Sequence, residues 1–286
     1  MTNGLMQVRQ LTVEDLDSYL NMETGIEDDY VARIFDRLVI SKEHVLYGLF
    51  EGETLLSVGG YSIFANHYAM LGRLRSDQRY LGKGHATRLM KQIIAEIETS
   101  SSIHWVGANT HVHNKAARKV LEKLNFTAYH PLYPLVLEQG KEVNGTPGPL
   151  WSKVESIEEK RELLLTYSNS TNNLFTYECY YPFPASEVLF HDSYLEKCHV
   201  FVNNDRSRFF LMKEDQKGEL YALLEYPWDD SLEQPGLWET VNAQRKEIFT
   251  EHKLWMDLKE NQIKQFTLCT DFDIKKPWLL HGKWVK

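Results

Sequence analysis

The segment Arg79-Tyr80-Leu81-Gly82-Lys83-Gly84-His85-Ala86 is the part of this chain best suited to chemistry, because two glycines carry the backbone from a strand-like run into an amphipathic helix. At a helix start the first N–H groups lack intrahelical acceptors, and glycine lets a ligand come close to them. With the positive end of the helix dipole behind them, such groups favour an anion, and a phosphate above all. The run Ala69 to Ser76 before the loop alternates as a strand does. After the loop, Ala86, Leu89, Met90, Ile93, Ile94 and Ile97 form one apolar stripe, with Arg88, Lys91, Gln92, Glu96 and Glu98 on the other face. Two glycines before a helix also make an ordinary tight turn, so the meaning of the loop depends on the elements downstream of it.

Downstream lie a short apolar strand, Ile103 to Ala108, and then a helix from Asn114 to Phe126 with Ala116, Ala117, Val120, Leu121 and Leu124 inward. Here the sequence resembles the GNAT acyltransferase family. The acetyl-CoA signature of that family, Q/R-x-x-G-x-G/A ahead of a helix, is met at Arg79, Gly82 and Gly84. Its later segment, N-x-x-A-x-x-x-Y-E-K-x-G-F, is met at Asn114, Ala117, Glu122, Lys123 and Phe126. The resemblance covers about residues 5–138. It implies an α/β (α+β) acyl-CoA N-acyltransferase fold, a mixed, mostly antiparallel sheet flanked by helices. It also implies acetyl-CoA as cosubstrate. Leu74, Arg75 and Ser76 would run along the pantetheine arm, with a strand N–H there serving the thioester carbonyl. Arg79, Leu81, Gly82, Lys83, Gly84, His85, Ala86 and Thr87 would surround the pyrophosphate, and Asn114, Ala117 and Arg118 complete the expected cofactor set.

Three departures from the family pattern matter. Leu121 stands where many members carry a tyrosine that reprotonates the departing thiolate, so this chain needs another acid or has none. Asn125 replaces a glycine, which asparagine's tolerance of left-handed backbone makes mild. Leu81 replaces a common arginine, a modest loss if backbone N–H groups hold the phosphates.

Amide formation from a thioester requires an unprotonated amine, hence a base or a water chain, and a proton for the leaving sulfur. No glutamate lies between Ala69 and Ser76. His111 and His113 come after the fifth strand, and either can act as base through water because imidazole titrates near neutral pH. The competing reading leaves both in solvent or capping the loop. Tyr129, and Tyr133 beyond it, are the available acids, although strand tyrosines commonly serve packing. Glu27, Asp28 and Asp29 lie where the family admits its acceptor and could attract a cationic amine, or could simply favour a helix start. A metal role for the His111-x-His113 pair lacks a third ligand nearby, so no metal is expected.

A formal net charge of −8 and a pI near 5.8 give nucleic-acid binding no electrostatic support. Cys179, Cys198 and Cys269 are far apart and form no CxxC pair, which suits reduced, buried thiols in a cytoplasmic protein. The start Met-Thr-Asn-Gly-Leu lacks a signal pattern and no apolar run reaches spanning length, so no membrane partner is expected. The chain reads as a monomer or homodimer. Its 286 residues suit two domains.

The elements that position the loop emerge from periodicity. A strand at Met6 to Gln10 leads to a helix opened by Thr12 and Asp15, a near form of the capping box. A second helix carries Tyr30, Val31, Ile34, Phe35 and Leu38 inward, and strands at Val45–Phe50 and Leu55–Phe64 join through a hairpin at Glu51-Gly52-Glu53. The expected organisation is an acetyltransferase domain over 1–138, a Gly- and Pro-rich linker over 139–149, and a C-terminal α+β domain over 150–286. That second domain has an expected helix at Ser156–Tyr167 and strands at His199–Asn203, Ser207–Lys213 and Glu219–Tyr226. A long helix at Glu239–Leu258 and closing strands at Phe266–Cys269 and Trp278–Val285 complete it. Its order echoes the first half without the Gly-x-Gly loop, as a degenerate second copy in a tandem protein would.

The sequence therefore points to an N-acetyltransferase acting on the amine of a small molecule or amino acid. The alternative is a non-catalytic CoA-binding sensor or interaction protein. A P-loop nucleotide site is excluded, because no Gly-Lys-Ser/Thr comes after the loop.

Overall fold

The computed structural model describes residues 5–168, 174–266 and 271–285. The chain forms two compact units, Met1–Tyr129 with Leu280–Lys286, and His130–Leu279. In chain order the first unit holds β1 (Met6–Gln10), α1 (Leu16–Leu20), α2 (Tyr30–Arg33), α3 (Phe35–Ile40), β2 (His44–Glu51), β3 (Thr54–Phe64), β4 (Tyr68–Ser76), α4 (His85–Thr99), β5 (Trp105–His111) and α5 (Lys115–Lys123). β6 (Thr127–Leu137) leads into the second unit: β7 (Ser152–Val154), α6 (Ile157–Ser168), β8 (Leu174–Glu178), β9 (Tyr181–Pro184), α7 (Asp192–Leu195), β10 (His199–Val202), β11 (Phe209–Lys217) and β12 (Glu219–Glu225). α8 (Leu237–Glu247), β13 (Lys253–Leu258), α9 (Glu260–Phe266), β14 (Phe272–Ile274) and β15 (Trp278–Trp284) end the chain.

In the first unit the strands lie in the order β1-β2-β3-β4-β5-β15. The first three pairings are antiparallel and β4·β5 is parallel. The apolar stripe of α4 packs Leu89, Met90, Ile93, Ile94 and Ile97 against Leu49, Leu71, Val106 and Ala108 on one face of the sheet. On the other face Tyr19, Met22, Val31, Phe35 and Leu38 of the early helices cover Leu46, Phe50 and Val58. The single helix expected near Tyr30–Leu38 is broken at Ile34, whose φ of −117° leaves the helical range and turns the next helix toward the sheet.

The chain's last strand belongs with the first unit, where the Val285 N–H donates to the His104 carbonyl at 2.9 Å. The sequence places a boundary at residue 138; the compact units divide after Tyr129, and from Tyr133 onward β6 pairs with β13 of the second unit.

The second unit repeats the pattern of pairings. Its strands run β7-β10-β11-β12-β13-β6, antiparallel except for β12·β13, with β14 on the far side of β6. Leu135, Leu137, Phe210, Leu224, Trp238, Val241, Leu254 and Phe266 are among its core residues. Two expectations are corrected here. The helix expected over Glu239–Leu258 ends at Glu247, and Lys253–Leu258 is a strand between β12 and β6; a short apolar run buried on both faces carries no periodicity to separate the two. Phe266 ends a helix, where a strand over Phe266–Cys269 was expected, and Cys269 lies outside the described residues. Cys179 and Cys198 are buried free thiols.

The stretch 139–149, expected as a linker, contains no helix or strand yet is pinned inside this unit. Asn242 Nδ2 donates to the Val143 carbonyl at 2.8 Å, and Arg245 Nη2 to that of Glu138 at 3.1 Å. No described helix is long and apolar enough to cross a membrane.

Candidate active site

β4 delivers the chain to the glycine loop through a buried anchor. Asp77, fully buried, accepts the Arg79 N–H at 3.0 Å and its Nε at 2.9 Å, and Nη2 of the same arginine also donates to Asp77 and to the Asn21 carbonyl. The Arg79 hydrogen bonds hold the Asp77 carboxyl below its ordinary range. Gln78 N–H donates to the Glu23 carbonyl at 2.9 Å, so the loop after α1 is tied to the same turn. Arg79, expected at the pyrophosphate, is 45% exposed and holds the loop to Asp77 and to the Asn21 carbonyl. Sequence reasoning missed Asp77 as its partner, although Asp-x-Arg across a turn is a spacing that permits it.

The loop itself is open. Gly82 and Gly84 have φ of +80° and +81°, and a Cβ added at either would meet nothing within 4 Å. Among the described residues no group accepts the N–H of Gly82, Lys83, Gly84, His85, Ala86 or Thr87; the helical ladder begins with Arg88 N–H to the Gly84 carbonyl at 3.0 Å. Six successive donors at the start of the 15-residue α4, beside Lys83, form a cradle for an anion. His85 beneath them is buried, and burial with nearby Lys83 pushes its imidazole below the ordinary value. Leu81, where the family pattern has arginine, is exposed.

β4 is bulged just before this loop. Val58 faces Arg75 and Gly60 faces Gly72, so Arg73 and Leu74 together oppose Gly59, and Arg73 takes a left-handed φ of +57°. β4 pairs with β5 only from Tyr68↔Trp105 to Leu71↔Ala108. Beyond that point the two strands part, and the backbone of Leu74 to Ser76 has no β5 partner. Leu74 packs with the α4 core. The Gly59-Gly60 pair opposite the bulge was the one signal of it in the sequence.

The remaining candidate residues separate. Asp29 does not present a free carboxylate to an amine: it accepts from Arg75 Nε and Nη2 at 2.8 Å each, from the Tyr19 hydroxyl at 2.5 Å and from the Val31 N–H at 3.0 Å. Burial pushes its carboxyl up, but those donors outweigh the effect and the net shift is downward. Arg75, expected along the cofactor, therefore points to the early helices. Asp28 is exposed and pairs with Arg33, and Glu27 is exposed.

Asn114 caps α5 by accepting the Ala117 N–H at 3.1 Å, and Arg118 Nη1 donates to the Val112 carbonyl at 3.0 Å. His111 ends β5, three residues past its last β4 partner, whereas His113 lies in the next turn; both are exposed. Tyr129 is half-buried at the start of β6, and burial pushes its phenol above the ordinary value. Tyr133 packs against the core of the second unit. Leu121 is buried among the residues beneath α4, and Asn125 after it takes a φ of +59°, the left-handed role expected of it.

The second unit has a corresponding helix start, and it is filled. Gly236 caps α8 with a φ of +76°, as Gly84 caps α4. Its N–H donates to the Thr146 carbonyl at 3.0 Å, and a Cβ there would lie 1.9 Å from the Pro149 oxygen. Trp151 N–H donates to Thr240 Oγ1 at 2.9 Å one turn further on.

A sheet with this pairing pattern, parted between its fourth and fifth strands beside a glycine cradle, defines an acyltransferase class of fold. Residues 8–126 match the model of the acetyltransferase (GNAT) family. A Pyrococcus horikoshii protein described as an acetyltransferase shares the fold at 10% identity and a TM-score of 0.55, covering 100% of this chain and 91% of that one. A GCN5-related N-acetyltransferase from Sphaerobacter thermophilus does so at 11% identity and 0.54, covering 98% and 96%. Among curated proteins none matches significantly.

Proposed function

We propose that this chain transfers an acetyl group from acetyl-CoA to the amine of a small molecule or amino acid. The observation that carries the reading is the run of unpaired N–H groups from Gly82 to Thr87 at the start of α4, with the space over both glycines open. They would hold the pyrophosphate, with Lys83 beside it. The strand edge from Leu74 to Ser76 would bind the pantetheine arm and offer an N–H to the thioester oxygen as charge develops there. The amine nitrogen bonds to the acyl carbon, the C–S bond breaks, one proton leaves the nitrogen and one reaches the sulfur.

His111, at the parted end of β5, is the base in this reading, acting directly or through water. Tyr129 stays protonated through neutral pH and supplies the acid that Leu121 is unable to supply. The second unit is a degenerate copy that has lost the donor site.

Calorimetry with CoA and a thiol-release assay with an amine panel test the reading. Gly82→Glu places a carboxylate in the cradle and is expected to abolish CoA binding; an unchanged affinity refutes the site. The buried Leu121 favours a second reading, a CoA-binding sensor without turnover. Tight CoA binding with no thiol release from any amine would establish that reading instead.

A further inference from the structure

We propose that Arg73 recognises a carboxylate on the acceptor, which makes amino acids and related amino carboxylates the substrate class; the inference rests on the acetyltransferase reading above. Four arginines of the first unit have aspartate partners: Arg9 with Asp15, Arg33 with Asp28, Arg75 with Asp29 and Arg79 with Asp77. Arg73 has no carboxylate partner among the described residues. Its Nη2 donates to Ser62 Oγ at 2.9 Å, and its Nε is buried without an acceptor. Arg118 also lacks a carboxylate, but it sits on α5 and is held by the Val112 carbonyl. A guanidinium carries five donors in a planar fork matched to a carboxylate, and a buried donor left unpaired is costly. A ligand oxygen at this point would remove that cost.

The surroundings suit such a ligand. Arg73 is the left-handed residue of the β4 bulge, and backbone strain of this kind is characteristic of ligand clamps. It lies where β4 leaves β5, the same place that exposes Leu74 to Ser76. A Cβ on the neighbouring Gly72 would meet nothing within 4 Å, so there is room beside it. Ser62 Oγ, 2.9 Å from His44 Nδ1, adds a hydroxyl. Burial and the charge of Arg73 push the His44 imidazole down, which keeps it neutral near pH 7. The Asp29 carboxylate is bound to Arg75, which neutralises it.

The test compares amino acids with their decarboxylated amines and their amides, in the wild type and in Arg73→Asn, since asparagine tolerates a left-handed backbone. The wild type is expected to prefer the carboxylate-bearing member in kcat/KM by about 100-fold, the worth of two charge-assisted hydrogen bonds. In Arg73→Asn the preference should fall to a few-fold, with CoA affinity unchanged as the control for folding. Equal turnover of both classes by the wild type, or a loss in the variant that falls equally on both, overturns the proposal. Thermal shift of the CoA-loaded protein is the second readout. If no amine is acetylated, the acetyltransferase reading fails by itself. Stabilisation by amino acids that Arg73→Asn abolishes then upholds the Arg73 site, and the absence of any stabilisation overturns it.

Discussion

Arg75 of β4 and Asp29 at the start of α2 are joined by two parallel hydrogen bonds of 2.8 Å, with side-chain exposures of 13% and 8%. The pair fastens the early helices to the strand that carries the bulge. Removing one partner strands the other charge in a nearly dry site. Asp29→Ala is therefore expected to cost about 3 kcal/mol in denaturant unfolding. The double variant with Arg75→Ala should lose much less than the sum of the single losses, and strict additivity would show that the pair is uncoupled.

Leu121→Tyr tests whether the missing family tyrosine can simply be restored. The position is buried beneath α4 with Ala108 and Phe126, so a larger side chain overpacks it and brings a hydroxyl without a partner. We expect a loss of about 1–3 kcal/mol and no gain in kcat. A rise in turnover would show that the phenol reaches the leaving sulfur after all.

Tyr129→Phe should lower kcat by about 100-fold with little change in the KM for acetyl-CoA, the usual size of a general-acid contribution. An equal fall in affinity and rate would place Tyr129 in packing.

One CoA is expected per chain in calorimetry. The start of α8 is occupied by its own chain through Thr146 and Pro149, whereas the start of α4 has its N–H groups unpaired. A stoichiometry of two, or a site surviving in Gly82→Glu, would show that the 139–149 segment can be displaced.

Stability should fall as pH is lowered, in two stages. Burial holds His44, His85, His130, His191 and His199 below the ordinary imidazole value. The unfolded chain therefore binds protons that the folded one refuses, and stability declines as pH drops below about 6.5. Asp15 and Asp77 are held low by their arginines, and Asp29 by donors that outweigh its burial. Their contribution is fully present above about pH 4 and disappears as pH falls through their lowered values. A Tm that stays level from about pH 7.5 to 5.5 would contradict the first stage.

The glycine loop and the helix behind it were legible in local sequence. Gly82 and Gly84 need left-handed backbone, the stripe from Ala86 to Ile97 makes the helix behind them, and Asn125 ends the next helix as its side chain allows. Such features depend on neighbours a few residues apart, and spacing alone records them. Tertiary structure decided the rest. Arg79, Arg75 and Asp29 read as ligand residues in sequence, but folding brings Asp77 to the first and the other two to each other. Lys253 to Leu258 became a strand because two neighbouring strands were there to pair with it. The last residues joined the first unit because a place beside β5 was open to them. Each of these outcomes depends on a partner distant in sequence, and periodicity holds no record of distant partners.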